Sequence, residues 1–136
     1  MKLSKSLKQI DNIKLHNQIN IKIDNQKFVV SKNKFQLFVG DDIVSSCGFN
    51  IQSPDKWFNK KYVIIHDVKT VKRFQGNGFT QILLEHMFDY IKNEIKLNII
   101  TLIVYKSNYK AVNIYFNSGF KLYSNYEDSY SLIKNL

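Results

Sequence analysis

FQGNGFTQILL, residues 74–84, sets two of the chain's five glycines, Gly76 and Gly78, on either side of Asn77 and begins an apolar run directly behind them. Glycine inside a regular element costs about 0.5–1 kcal/mol relative to alanine, so the pair does not serve helix stability. It marks either a plain turn or a loop whose backbone must come close to something negative. Upstream, YVIIHDVKT (62–70) is apolar on both faces near its start, as a strand inside a sheet is. Downstream, Phe79, Ile82, Leu83, His86, Met87, Tyr90 and Ile91 recur at steps of three and four and make one face of a helix. A strand, a glycine loop and a helix in that order aim successive backbone N–H groups into one concavity, with the positive end of the helix dipole behind them. The loop lacks the G-x-x-x-x-G-K-S/T pattern of a nucleoside-triphosphate site, and the third glycine of a dinucleotide fingerprint is missing.

Working outward, FQLFVG-DD-IVSSCGFN (35–50) reads as a hairpin turning through Gly40-Asp41-Asp42, and QSPDKW around the only proline, Pro54, is a loop. Ahead of the hairpin, Leu3, Leu7 and Ile10 have near-helical spacing within residues 3–15, and INIKI (19–23) alternates like a strand. Behind the first helix, NIITLIVY (98–105) is a second buried strand. A short helix from Tyr109 to Ser118 follows, with Gly119 where a left-handed C-terminal cap belongs. The tail has room for two strands around a turn near Glu127-Asp128. The expected fold is a single domain over residues 1–136, an α/β (α+β) protein with a mixed sheet and a parallel strand–loop–helix–strand step in its middle.

Composition narrows the function classes. The 136 residues are 44% hydrophobic and 23% charged, ordinary for a soluble domain, and no apolar run nears the length of a bilayer span. The start, MKLSKSLKQIDNIKL, has no uninterrupted apolar core and does not read as a secretory signal. The single cysteine, Cys47, lies in a strand-like run and reads as a small buried hydrophobe, and a reducing, cytoplasmic setting fits. The net charge of +9 favours anionic partners. Lysine supplies all of the basic residues except Arg73, so bidentate reading of nucleic-acid bases is disfavoured.

The stretch NYKAVNIYFNSGF (108–120), with Leu102 and Val104 before it, resembles the GNAT superfamily of acetyl-CoA-dependent N-acetyltransferases. Every named position of that family's L-x-V-x-x-x-N-x-x-A-x-x-x-Y-x-x-x-G-F signature is met from Leu102 to Phe120. Its glycine motif, R/Q-x-x-G-x-G/A, is similar to Gln75-Gly76-Asn77-Gly78-Phe79-Thr80, with Thr80 in place of the final small residue. The resemblance covers roughly residues 35–136. It implies a mostly antiparallel sheet and a shortened N-terminal region, because only about 34 residues precede the hairpin where the family carries a strand and two helices.

The resemblance also implies a site. Acetyl-CoA is the cosubstrate, and no metal is expected. The amides of Gln75, Gly76, Asn77, Gly78, Phe79 and Thr80 would hold the pyrophosphate, and the backbone of Val68, Lys69 and Thr70 the pantetheine arm. Lys72 and Arg73 either meet an outlying phosphate or form a solvated charged turn. Asn108 bonds the pantetheine region, caps the second helix, or does both. Tyr115 is either the acid that protonates the leaving thiolate or a packing tyrosine. His66 is either the base or a satisfied core histidine; His16 and His86 lack comparable context.

For the acceptor, HDVKTVKRFQGNG resembles the corresponding strand and loop of glucosamine-6-phosphate N-acetyltransferases. This places His66, Asp67 and Tyr105 at the acceptor, with His66 and Tyr105 standing where those enzymes carry acids. A small phosphorylated amino-sugar acceptor and a homodimer follow from that likeness. The alternatives are a peptide or protein N-acetyltransferase and a non-catalytic CoA- or nucleic-acid-binding module.

Overall fold

The computed structural model describes residues 25–136. The chain runs β1 (Gln26–Ser31), β2 (Lys34–Val39), β3 (Asp42–Gln52), β4 (Tyr62–Thr70), α1 (Phe79–Tyr90), β5 (Ile99–Tyr105), α2 (Tyr109–Asn117), β6 (Lys121–Asn125) and β7 (Ser129–Asn135). A short 3-10 turn, Lys72–Phe74, precedes the glycine loop, and one wide π-helical turn, Ile91–Ile95, prolongs α1. The strands form one sheet in the order β1-β2-β3-β4-β5-β7-β6, antiparallel throughout except for β4 beside β5.

The hairpin read at residues 35–50 is β2–β3, and its turn is made possible by Gly40 at φ 61°. The tail forms the antiparallel pair β6–β7, again as read. β1 is an addition: it pairs with β2 through a tight turn at Lys32-Asn33, and no helix separates the two. Its apolar run, Phe28-Val29-Val30, is too short and too closely flanked by lysines to announce itself. The helix read over 3–15 and the strand over 19–23 lie outside the described residues.

Phe35 and Leu37 from β2, Val63 and Ile65 from β4, Ile100 and Leu102 from β5 and Leu132 from β7 pack beneath α1. The helix contributes Phe79, Ile82, Leu83, Met87 and Ile91 as its spacing implied, and also Leu84 and Phe88. The wider stripe arises because Phe88 meets the Phe120 ring 5.8 Å away, beyond the sheet-facing side. Cys47 is buried, its thiol 3.5 Å from Met87 Sδ and pushed up to about 12 by burial, which leaves it an inert packing group.

Two irregularities position the site. β4 and β5 pair only at Val63–Ile100 and Ile64–Thr101, and then diverge while β5 stays paired with β7 along its full length. On its other edge, β4 carries a bulge between the Ser46 and Gly48 register positions, with Asp67 at φ 54° in the left-handed region.

His86 gives the core a pH dependence. Its ring stacks 4.8 Å from Phe28, its Nδ1 has no hydrogen-bond partner, and burial lowers its pKa from 6.5 to about 4. Between those values the unfolded chain binds a proton that the folded chain refuses. Stability is therefore full above pH 6.5 and falls as pH drops toward 4, by up to about 3 kcal/mol. Urea midpoints at pH 7 and pH 4.5 should show this loss in the native chain and a smaller one in His86→Phe. Equal losses in both would assign the acid sensitivity to other groups.

Candidate active site

Where β4 and β5 part, a cleft of about 710 Å³ opens between the ends of the strands and the first turns of both helices. Val68, Lys69 and Thr70 line it from β4, Gln75, Gly76, Gly78, Phe79 and Thr80 from the loop and α1, and Asn108 and Tyr115 from α2. Residues as far apart in the chain as Val68 and Tyr115 thus meet in one place, because the parallel step returns the chain to the same end of the sheet.

The loop is built for close approach. Gly76 and Gly78 both have φ 82°, and no side chain caps α1 at Gly78. Nothing lies within 4 Å of a Cβ placed on Gly76, so the space beside it is open. The polar side chains of the loop brace it from behind: Gln75 Nε2 donates to Thr70 O at 2.9 Å, and Asn77 Nδ2 donates to Phe74 O at 3.2 Å. Asn77 does not line the cleft.

Thr80 fills the place of the expected small residue, and its hydroxyl turns toward the sheet. It bonds Thr70 Oγ1 at 2.5 Å, which bonds Ser45 Oγ at 2.9 Å, which donates to Lys69 O at 3.0 Å. This ladder pins α1 to β3 and β4 and commits the Thr80 hydroxyl to the strand.

Arg73 pairs with Asp42 Oδ2 at 3.4 Å and stacks over Phe74, and neither it nor Lys72 lines the cleft, as a solvated charged turn would have it. Besides Lys69, the cleft is lined by Lys110, in the first turn of α2, and by Gln81 and Asn113. These were missed because the family signature leaves their positions unspecified. For Lys110 and Asn113, their spacing from Asn108 on a helix whose Tyr115 is buried was the available signal.

Asn108 is both a lining residue and an N-cap, accepting from Ala111 N at 3.4 Å. Tyr115 is 6% exposed, edge-on to Phe120 at 5.7 Å, and burial pushes its hydroxyl up to about 12. It keeps its proton at any ordinary pH, as a proton donor must.

His66 is on the opposite face of the sheet from the core, above Gly48 of β3. A Cβ on Gly48 would come within 2.9 Å of both ring nitrogens, so the glycine makes room for the imidazole. Nδ1 lies 2.8 Å from Asp67 Oδ2, and Nε2 lies 3.3 Å from Asn50 Nδ2. A carboxylate only accepts, so Nδ1 carries the hydrogen and Nε2 holds the lone pair. His66 is therefore no buried core histidine. Tyr105 shares this outer face and is 70% exposed. None of His66, Asp67 and Tyr105 lines the cleft.

If the open space at the loop receives a phosphate, Gly76→Ala should raise the KM for acetyl-CoA about tenfold or more, the value of one charge-assisted bond. Unchanged acetyl-CoA binding by the folded variant would refute an anion site at this loop.

A seven-stranded sheet with one parallel step, splayed there over a glycine loop and a buried tyrosine, is the arrangement that the sequence resemblance implied. A family model described as acetyltransferase (GNAT) family matches residues 7–120, and the chain belongs to that family. Comparison with curated protein sequences gives no match. Among solved structures, the chain is similar to PH1933 from Pyrococcus horikoshii OT3, at 28% identity and TM-score 0.65. That match covers 76% of this chain, which spans 64% of the Pyrococcus protein. Campylobacter jejuni N-acetyltransferase PseH, in complex with acetyl coenzyme A, matches at 22% identity and TM-score 0.61, over 91% of this chain and 79% of its own. Arabidopsis thaliana Naa50, in complex with the bisubstrate analogue CoA-Ac-MVNAL, matches at 21% identity and TM-score 0.61, over 76% and 72%. Among the described residues no helix is long and apolar enough to cross a membrane.

Proposed function

We propose that this chain transfers acetyl from acetyl-CoA to the primary amine of a phosphorylated amino sugar, with glucosamine 6-phosphate as the acceptor. The observation that carries the transferase reading is the divergence of β4 from β5 directly over the loop and Tyr115. Beyond Ile64, β4 has no strand partner on that side, so Val68, Lys69 and Thr70 offer backbone groups to an extended ligand. The uncapped start of α1 and Lys110 suit its phosphates.

In this reading the neutral amine attacks the thioester carbonyl, the oxyanion is held by a backbone N–H near Val68, and Tyr115 gives its proton to the departing thiolate. His66 takes the proton from the amine through Nε2, and Asp67 holds the ring in the tautomer that leaves that nitrogen basic. Holding both reactants at one gap in the sheet supplies much of the rate.

The sugar-phosphate acceptor rests on the likeness of residues 66–78 to glucosamine-6-phosphate N-acetyltransferases and on the basic charge of the chain. Lys69, exposed at the end of β4 and paired in register with Ser46, supplies a cation close to His66. A homodimer in the cytoplasm belongs to the same likeness. The peptide in the Naa50 complex favours a second reading, transfer to a peptide amine. Thiol release from acetyl-CoA, measured with glucosamine 6-phosphate, glucosamine, spermidine and a lysine-rich peptide, tests both. Turnover fastest with glucosamine 6-phosphate supports the first reading, and fastest with the peptide supports the second. No turnover with any amine would leave a CoA-binding module.

A further inference from the structure

The opposite end of the β4–β5 pair carries a second concavity of a different character. A groove of about 600 Å³ is lined by Lys60, Lys61, Lys92, Lys96, Asn93 and Asn98, with Leu97 and Leu136 at its apolar side. Lys60 and Lys61 immediately precede β4, and Asn98 immediately precedes β5. Lys92 and Asn93 belong to the wide turn that ends α1, and Lys96 follows it. β4 is nine residues long, which puts this groove roughly 25–30 Å from the acetyl-CoA cleft at a rise of about 3.3 Å per residue.

Four ammonium groups from two separate elements converge here, and among the described residues no aspartate or glutamate side chain lines the groove. The ion pairs formed among the described residues are His66–Asp67 and Arg73–Asp42, and neither involves these lysines. The nearest acids in sequence, Asp89 and Glu94, do not line the groove; Asp89 accepts from Asn93 Nδ2 at 2.9 Å. The carbonyl end of α1 attracts Lys92 and Lys96, but it does not account for Lys60 and Lys61, which arrive from the β3–β4 loop. Lys96 also holds φ 65°, a left-handed position more cheaply filled by glycine or asparagine.

We infer that this groove binds a compact polyphosphate group, at a site separate from acetyl transfer. The lining decides the ligand class. Ammonium groups on flexible stems act as point charges and tolerate closely spaced phosphate oxygens, while the absence of arginine removes bidentate recognition. No aromatic residue lines the groove to stack on a base, which disfavours single-stranded nucleic acid. The volume is that of a small-molecule site.

The test is calorimetric titration of the full chain with inorganic triphosphate at physiological ionic strength, run in parallel on the Gly76→Ala chain, in which the loop of the transfer cleft is obstructed. ADP, a polyglutamate peptide and a single-stranded oligonucleotide serve as competing arms. Saturable triphosphate binding is expected, shared by ADP through its diphosphate, and weakened about tenfold or more, in line with lost charge-assisted bonds, by either Lys60→Gln with Lys61→Gln or Lys92→Gln with Lys96→Gln. The KM for acetyl-CoA should be unchanged in both double variants. Absence of saturable binding overturns the inference. So does binding indifferent to Lys60 and Lys61, which would leave only the helix-end lysines, and so does tighter binding of the oligonucleotide or the peptide than of triphosphate.

Discussion

Tyr115→Phe is expected to lower kcat by about 10²–10⁴, the range for loss of a positioned general acid, with little change in stability. The structural reason is that ring and hydroxyl have separable duties. The ring packs edge-on to Phe120 and is almost fully buried, and phenylalanine preserves that contact. Tyr115 lines the cleft where β4 and β5 part, and burial holds its hydroxyl protonated up to about 12. Its own deprotonation therefore cannot set the alkaline limb of the rate profile at ordinary pH, and a limb lying below that value belongs to another group. Single-turnover rates of acetyl transfer, compared with the unfolding midpoint of the same variant, check the prediction. Near-normal turnover would make Tyr115 a packing residue and leave water to protonate the thiolate.

The parts of this fold that were legible in the sequence are those fixed by local rules. Residues 62–84 had to be strand, loop and helix because their apolar period changes at two glycines, and both glycines do adopt the left-handed backbone that explains them. Asn108 announces α2 as its cap and Gly119 closes it at φ 98°, again from local chemistry. The parts that were not legible depend on partners distant in the chain. Arg73 reads either as a phosphate ligand or as part of a solvated turn, and its pairing at 3.4 Å with Asp42, 31 residues earlier, is visible only in the fold. Thr80 looks like a defect in a glycine motif until Ser45 and Thr70 complete its ladder. Gly48 carries no motif at all, and only the crossing of β3 by β4 shows that it makes space for His66.

That last contact yields the second large effect, because His66 can be disturbed without being removed. His66→Ala should lower kcat/KM by about 10²–10⁴ if Nε2 is the base, and should remove or shift the acidic limb of the pH profile. Gly48→Ala leaves the imidazole intact but sets a methyl group against its ring, so the ring must leave Asn50 and Asp67. The two variants should then show the same loss and the same altered pH profile, and combining them should cost little more than either alone. The acceptor enters this argument through its amine. A 2-amino sugar is a weaker base than lysine, so more of it is neutral near pH 7 and an imidazole suffices to take its proton. Losing the sugar phosphate forfeits charge-assisted bonds to lysine of about 1.5–3 kcal/mol each, so glucosamine should be a much poorer substrate than glucosamine 6-phosphate. Comparable rates for the two sugars would sink the sugar-phosphate assignment while leaving the His66 result standing. Full activity in His66→Ala with any amine would instead pass the proton to water and reduce the His66–Asp67 pair to a device that shapes the bulge in β4.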